Sequence, residues 1–248
     1  MTAVLLLHGQ PGTGGDWAGV AAALRRDGFH VLAPDRPGYG TSTLPAGGFE
    51  HNVHAMEALL DESGIESAVL AGHSWGAGLA LALAQRHPQR ARALALVCPV
   101  TPLEQLGRLD RALADRHAGP MLARAGFLAA GAALALPQLR RRLERLVPGS
   151  DASRWPELAR GWRTFMIEQR ALLDELPSLE PPVPTPPTTV VIGARDHVTD
   201  PEAGRRYAGT IGARVVEVPN AGHLLPMQRP AEVASAIAAL TSESPGGP

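Results

Sequence analysis

The sequence contains no lysine: all 23 basic residues are arginine, set against 24 acidic ones, for a net charge of -1. Without a lysine amine there is no Schiff base to a carbonyl substrate, no pyridoxal-phosphate anchor and no phosphate-loop lysine. Arginine-only usage fits a GC-rich bacterial genome. A net charge so near zero gives no field that would draw the chain to nucleic acid or to an anionic membrane, and neither is expected as a partner. Cysteine is almost missing too. Cys98 stands alone, which excludes an internal disulfide and a cysteine-based zinc site, and no cofactor or metal is expected. Long apolar runs are also lacking. The opening "MTAVLLLHG" has a short apolar run and no basic flank, so it reads as neither signal peptide nor membrane anchor, and a cytoplasmic protein is expected.

What is present is ample core material, with 45% of the 248 residues hydrophobic. That length suits one domain with an inserted lobe. Short apolar runs at 3–7, 30–33, 67–71, 93–98, 188–193 and 214–218 read as buried strands. Helical patterns at 16–27, 50–63, 75–87, 201–209 and 230–241 alternate with them, the signature of a parallel sheet covered on both faces. The rhythm breaks after Pro99. From there to about Leu176 the chain is rich in Ala, Leu and Arg at helical spacing, with "PQLRRRLERL" and "RWPELARGWRTFMIEQRALLDEL" reading as separate amphipathic helices. The prolines of "LPSLEPPVPTPP" forbid helix and favour an extended return to the sheet. The expected organisation is a core at 1–98 and 180–242, a helical lid at 99–179 and a disordered tail at 243–248.

Within "LAGHSWGAGLA", Ser74 lies where a predicted strand meets a predicted helix, with Gly72 and Gly76 two residues away on either side. A chain that turns that sharply needs glycine at both places, because side chains there would strike the neighbouring strand and helix. The central serine is pushed outward. Three other segments accompany this G-x-S-x-G pattern: "LLLHGQPGTGGDW" after the first strand, "VLAPDRPGYGTS" after the second, and, late in the chain, "VVIGARDHVTD" followed by "VPNAGHLLPMQRP".

Taken together and in this order, these segments resemble the α/β-hydrolase fold. The serine matches its nucleophile elbow, the H-G-x-P-G stretch matches its oxyanion loop, and the late segments match those that carry the acid and the histidine. The resemblance implies a mostly parallel sheet of about six strands with an inserted helical lid. It also implies roles: Ser74 attacks a carbonyl carbon, His223 acts as general base and then acid, and Asp196 orients the imidazole. The backbone N–H groups of Gln10 and Trp75 would hold the oxyanion. Two positions keep rivals. Asp200, followed by Pro201, suits a helix N-cap, and His197 adjoins the acid as a rim residue. His8 and His73 read as packing groups flanking the site, Asp35 and Arg36 as supports of the loop after the second strand, and Cys98 as a small buried residue. Members of the family usually carry two more strands before the H-G loop, whereas seven residues precede His8. Either the sheet is trimmed, leaving the second strand as an edge, or the start lies upstream.

A serine at the elbow sets the chain apart from the haloalkane dehalogenases and epoxide hydrolases of this fold, which use an aspartate there. Acyl chemistry on a small ester, thioester, lactone or related compound is expected. The loop "HGQPG" and the "SWG" elbow also resemble proline iminopeptidases, whose lid carries an acidic pair for the substrate amine, whereas this lid is dominated by arginine, which weighs against a peptidase. A biosynthetic lyase or cyclase, with His223 as base and Ser74 as hydrogen-bond donor, is the alternative outcome, and a non-catalytic receptor a third. Trp75, Phe127, Trp162, Phe165, Met166 and Leu224 are candidates for the pocket, alongside the further lid residues Met121, Leu122 and Trp155. Arg140, Arg141, Arg142 and Arg145 would suit an acidic acyl carrier protein, or simply form a solvated helix face. The expected partner is a small acyl substrate, on a monomer or homodimer.

Overall fold

The computed structural model describes residues 1–102, 108–146, 161–182 and 184–242. Strands β1 (Ala3–Leu7), β2 (His30–Leu32), β3 (Ala68–His73), β4 (Ala91–Val97), β5 (Thr188–Gly193) and β6 (Arg214–Val218) form one sheet in the order β2-β1-β3-β4-β5-β6. Every neighbouring pair is parallel. All six apolar runs became strands, and β2 lies at an edge. The starts differ by up to two residues: β4 begins at Ala91, where Ala68 already pairs with it ahead of a register shift.

The helices follow in chain order: α1 (Ala18–Arg26), α2 (Phe49–Glu62), α3 (Trp75–Arg86), α4 (Arg108–Ala114), α5 (Ala118–Leu134), α6 (Pro137–Leu146), α7 (Trp162–Asp174), α8 (Pro201–Ile211), α9 (Leu225–Gln228) and α10 (Pro230–Ser242). Successive strand residues face opposite sides, so a run apolar throughout feeds two cores. Val4 and Leu6 join Trp17, Val20 and Leu24 with Val233 and Ile237 from α10. Leu5 and Leu7 join Phe49 and Met56 from α2, Leu79 and Leu83 from α3, and Tyr207 from α8. The sheet is thus sandwiched, with α1 and α10 on one face and α2, α3 and α8 on the other.

Helices α4 to α7 fall between β4 and β5. Of the two helices expected here from amphipathic spacing, "PQLRRRLERL" is α6, and α7 forms the second half of the longer segment, whose first half lies outside the described residues. Helices α4 and α5 were anticipated only as helical spacing. The four insertion helices are unequally seated. Helix α7 packs Ala171 and Leu172 into the core and also buries Met166, Glu168 and Gln169, whereas α5 buries only Gly119 and Ala123 and leaves Met121 75% and Leu128 62% exposed. Arg140, Arg141, Arg142 and Arg145 are exposed on α6. The chain from Leu179 back to β5 holds no helix among the described residues, as its prolines require. Trp155 and the expected tail at 243–248 lie outside the described residues. Among those described, no helix is long and apolar enough to cross a membrane.

Candidate active site

Strand β3 ends at His73 and α3 begins at Trp75, so Ser74 makes the turn between them alone. It does so at φ 53° and ψ -118°, a conformation that residues with a side chain rarely adopt. The surroundings hold it there. Its N–H donates to the Val97 carbonyl at 2.9 Å, and its carbonyl accepts from the N–H of Ala77 at 2.9 Å. The flanking glycines are sterically required: a Cβ at Gly72 would lie 2.1 Å from the Gly76 carbonyl oxygen, and one at Gly76 would lie 2.2 Å from that of Leu7. Helix α3 therefore lies directly on the ends of β1 and β3, and Trp75 stands at its first position, where an N–H has no partner within the helix. The loop after β1 passes close to the serine, since a Cβ built on Gly9 would be 3.2 Å from the Ser74 Cβ.

The loops after β5 and β6 meet at the same rim of the sheet. The Nδ1–H of His223 donates to Asp196 Oδ2 at 2.9 Å, with the two side chains 12% and 3% exposed. Asp196 also accepts from the N–H groups of Val198 and Thr199 at 2.8 and 3.1 Å and from the Thr199 hydroxyl at 2.8 Å. Burial alone would raise its pKa. The hydrogen bond from His223 and its electrostatic attraction, with the Val198 and Thr199 donors, outweigh burial and hold the carboxyl at about 2. The acid is therefore ionised, which fixes His223 with its proton on Nδ1 and leaves the Nε2 lone pair for chemistry. His73, the residue before the serine, bridges the two halves. Its Nε2–H donates to the His223 carbonyl at 2.8 Å, and the two rings lie 4.9 Å apart.

The rival assignments separate cleanly. Asp200 caps α8 through the N–H of Glu202 at 2.9 Å, and His197 is exposed. Asp35 supports its own loop, accepting from Thr41 N–H at 2.8 Å, and ties it to the segment after β1 by accepting from Gly14 N–H at 2.8 Å. The pocket candidates divide. Phe127 and Phe165 pack edge to face at 5.4 Å and are half-buried, as are Trp162 and Leu224. Met166 is buried against Gly119 of α5 and serves helix packing. The Trp75 indole is a correction. It is fully buried, stacked on Phe49 at 4.3 Å and covered by the Arg36 guanidinium at 4.2 Å, so only its backbone remains for a ligand.

Three features were not foreseen. Arg36, read as a loop support, reaches far beyond its loop to the buried Glu168 of α7. Gln10 is tied to the insertion as well: its side-chain N–H donates to Gln169 Oε1 at 3.0 Å, and Gln169 donates in turn to Asp110 at 3.0 Å. Cys98, at φ 42° beyond β4, brings its sulfur within 4.8 Å of ligand atoms of Asp196 and His223. Those three groups could in principle ligate a metal. However, burial, with Asp196 beside it, pushes the thiol far above its usual range, and Asp196 and His223 are already engaged with each other.

The chain is similar to known proteins over part or all of its length. Over 108 residues the chain is 39% identical to epoxide hydrolase A of Mycobacterium tuberculosis, covering 42% of this chain and 34% of that protein. Over 101 residues it is 41% identical to 2-hydroxymuconate semialdehyde hydrolase of Pseudomonas putida, covering 38% of this chain and 34% of that protein. The matched stretch thus spans about a third of those relatives. Among solved structures, a thermophilic esterase from Thermogutta terrifontis superposes with a TM-score of 0.74 at 25% identity, over 98% of this chain and 90% of that one. A thioesterase domain from the curacin biosynthetic pathway, at 23% identity and TM-score 0.65, shares the fold over 96% of this chain and 91% of that domain. The sequence profile of the alpha/beta hydrolase fold matches residues 2–230, and the chain belongs to that family.

Proposed function

We propose that the protein is a serine hydrolase that cleaves a small ester, thioester, lactone or related acyl compound through an acyl-enzyme on Ser74. The observation that carries this reading is Ser74 held at φ 53° in the β3–α3 turn, beside His73, whose ring donates to the backbone carbonyl of His223 in a hydrogen-bonded His223–Asp196 pair. In the reaction, Ser74 Oγ adds to the substrate carbonyl while His223 Nε2 takes its proton. The ionised Asp196 stabilises the resulting imidazolium, which then protonates the leaving group. Water, activated by the same His223, releases the acid. The N–H groups of Gln10 and Trp75 receive the oxyanion, and each such donor is worth about 3 kcal/mol of barrier. The insertion serves as lid. The resemblance in fold to a protein described as an esterase supports acyl chemistry. Epoxide opening, suggested by the name of one relative, suits a serine poorly: attack by an alcohol leaves an ether, which water does not cleave, whereas a carboxylate leaves an ester that it does.

The test combines a variant and a probe. Ser74→Ala should keep its fold by circular dichroism and lose turnover of p-nitrophenyl esters by up to ~10⁶-fold. A fluorophosphonate should label Ser74 in the parent protein and nothing in the variant. Turnover retained by Ser74→Ala and abolished in His223→Ala would replace this reading with the lyase or cyclase one.

A further inference from the structure

Arg36 and Glu168 are 132 positions apart in sequence and meet with neither side chain exposed. One comes from the loop after β2, the other from α7 of the insertion. The guanidinium is fully used. Its Nε–H donates to the His8 carbonyl at 2.9 Å, its Nη2 to the Gly9 carbonyl at 2.9 Å, and its Nη1 to Asn52 Oδ1 at 3.4 Å, while both Nη atoms donate to the Glu168 carboxylate. Its flat face lies 4.2 Å from the centre of the Trp75 ring. Glu168 is held in turn by the Tyr39 hydroxyl at 2.6 Å, and its backbone carbonyl accepts from Trp75 Nε1 at 3.3 Å.

Stability does not account for such a pair, because two apolar side chains of similar size commonly serve a core at least as well. Its contacts suggest another purpose. The Gly9 carbonyl and the Gln10 N–H are opposite ends of one rigid, trans peptide plane, since the one cis bond among the described residues is Gln10–Pro11. A donor that holds the carbonyl to one side therefore aims the N–H to the other. Arg36 Nη2 is such a donor, and His8 Nδ1, 2.8 Å from the same oxygen, is a second. The His8 ring is itself locked, because its Nε2 accepts from the Arg36 backbone N–H at 3.0 Å. Trp75, the other proposed oxyanion residue, is fixed by the same guanidinium through its ring.

We propose that Arg36 is the positioning residue of the oxyanion hole, aiming the Gln10 N–H through the Gly9 carbonyl, and that Glu168 makes this aim depend on the seating of α7. The proposal rests on the reading of Gln10 and Trp75 as oxyanion donors.

Removing one charge alone leaves the other buried and can prevent folding, so the deciding variant is Arg36→Met combined with Glu168→Leu, alongside the single Glu168→Gln. The measurements are melting temperature, kcat and KM on p-nitrophenyl acetate, and affinity for a trifluoromethyl ketone, which forms an oxyanion on the serine. The expected result for the double variant is a protein that still folds but melts lower, because the His8 and Gly9 carbonyls, Asn52 and Tyr39 lose partners. KM should be near unchanged and kcat lower by roughly 10²-fold at a temperature where the variant is fully folded. Ketone affinity should fall by the same factor. Unchanged kcat and ketone affinity in a folded double variant overturn the proposal. So does a loss of kcat that leaves ketone affinity intact, or one that tracks only a loss of folded protein. Ser74→Ala judges the nucleophile and the ketone series judges the aim of the hole, so the two readings fail separately.

Discussion

His73 stands between the candidate nucleophile and the candidate base, next to Ser74 in sequence and bonded to the backbone of His223. Burial, reinforced by the nearby His223 ring, pushes its pKa from 6.5 down to about 3, against the opposing pull of the His223 carbonyl and Asp196. The unfolded chain takes up a proton here below about pH 6.5, while the folded one stays neutral until about pH 3. More protons on the unfolded side mean that stability rises with pH across this window and drains away as pH falls. The slope is about 1.4 kcal/mol per pH unit. Urea midpoints at pH 7, 6 and 5 should show that loss, and His73→Gln, which keeps a donor for the carbonyl, should flatten it. An equally steep dependence in the variant would rule out His73 as its source. At this scale the sequence was informative where a residue sits in a motif at a strand end, as Ser74, Asp196 and His223 do. It was silent on Glu168, an acidic residue on an amphipathic helix whose partner lies 132 positions away, and it read Cys98 correctly as small and buried but had no spacing to place it beside Asp196 and His223.

The contact between α3 and β1 leaves no room at Gly76. A Cβ there would meet backbone oxygens of Leu7 and His8 at 2.2 and 2.6 Å, neither of which can rotate away. Gly76→Ala should therefore destabilise the protein by about 1–3 kcal/mol, as overpacking does, and reduce ester turnover by shifting Ser74. Gly126, in the exposed part of α5, has nothing within 4 Å of the same added atom. There the chain entropy removed from the unfolded state dominates, and Gly126→Ala should stabilise by about 0.5–1 kcal/mol. Opposite shifts in the urea midpoint test both statements at once, and shifts of the same sign would refute one. The core elements were readable because short apolar runs alternate with helical stripes. Helix α5 was less so: "AGPMLARAGFLAAGAAL" is apolar nearly all round, so it offers no stripe to say which way it faces. The short α9 escaped notice because Pro226 sits in its first turn, in a segment read for His223 alone.

The molecule as a whole divides into a sheet buried from both sides and an insertion anchored chiefly through α7. That contrast implies unequal opening. Amides of β1, β3 and β4, with no exposed apolar side chain among them, should exchange with solvent only through global unfolding. Those of α5, which buries just Gly119 and Ala123, should exchange through a cheaper local event. Hydrogen–deuterium exchange followed by peptide mass analysis separates the two, and equal protection of α5 and β3 would show the insertion to be as firmly built as the core.

All six strands run the same way, so the loops bearing His8, Arg36, Ser74, Cys98, Asp196 and His223 leave one end of the sheet, and the turns at Gly28, Gly64 and Gly212 occupy the other. Strands of this length separate the two ends by about 17–20 Å. The far end is therefore where an engineer can graft a tag, a fluorophore or a fused domain, and where natural lineages can lengthen a turn, with the chemistry a full strand away and undisturbed.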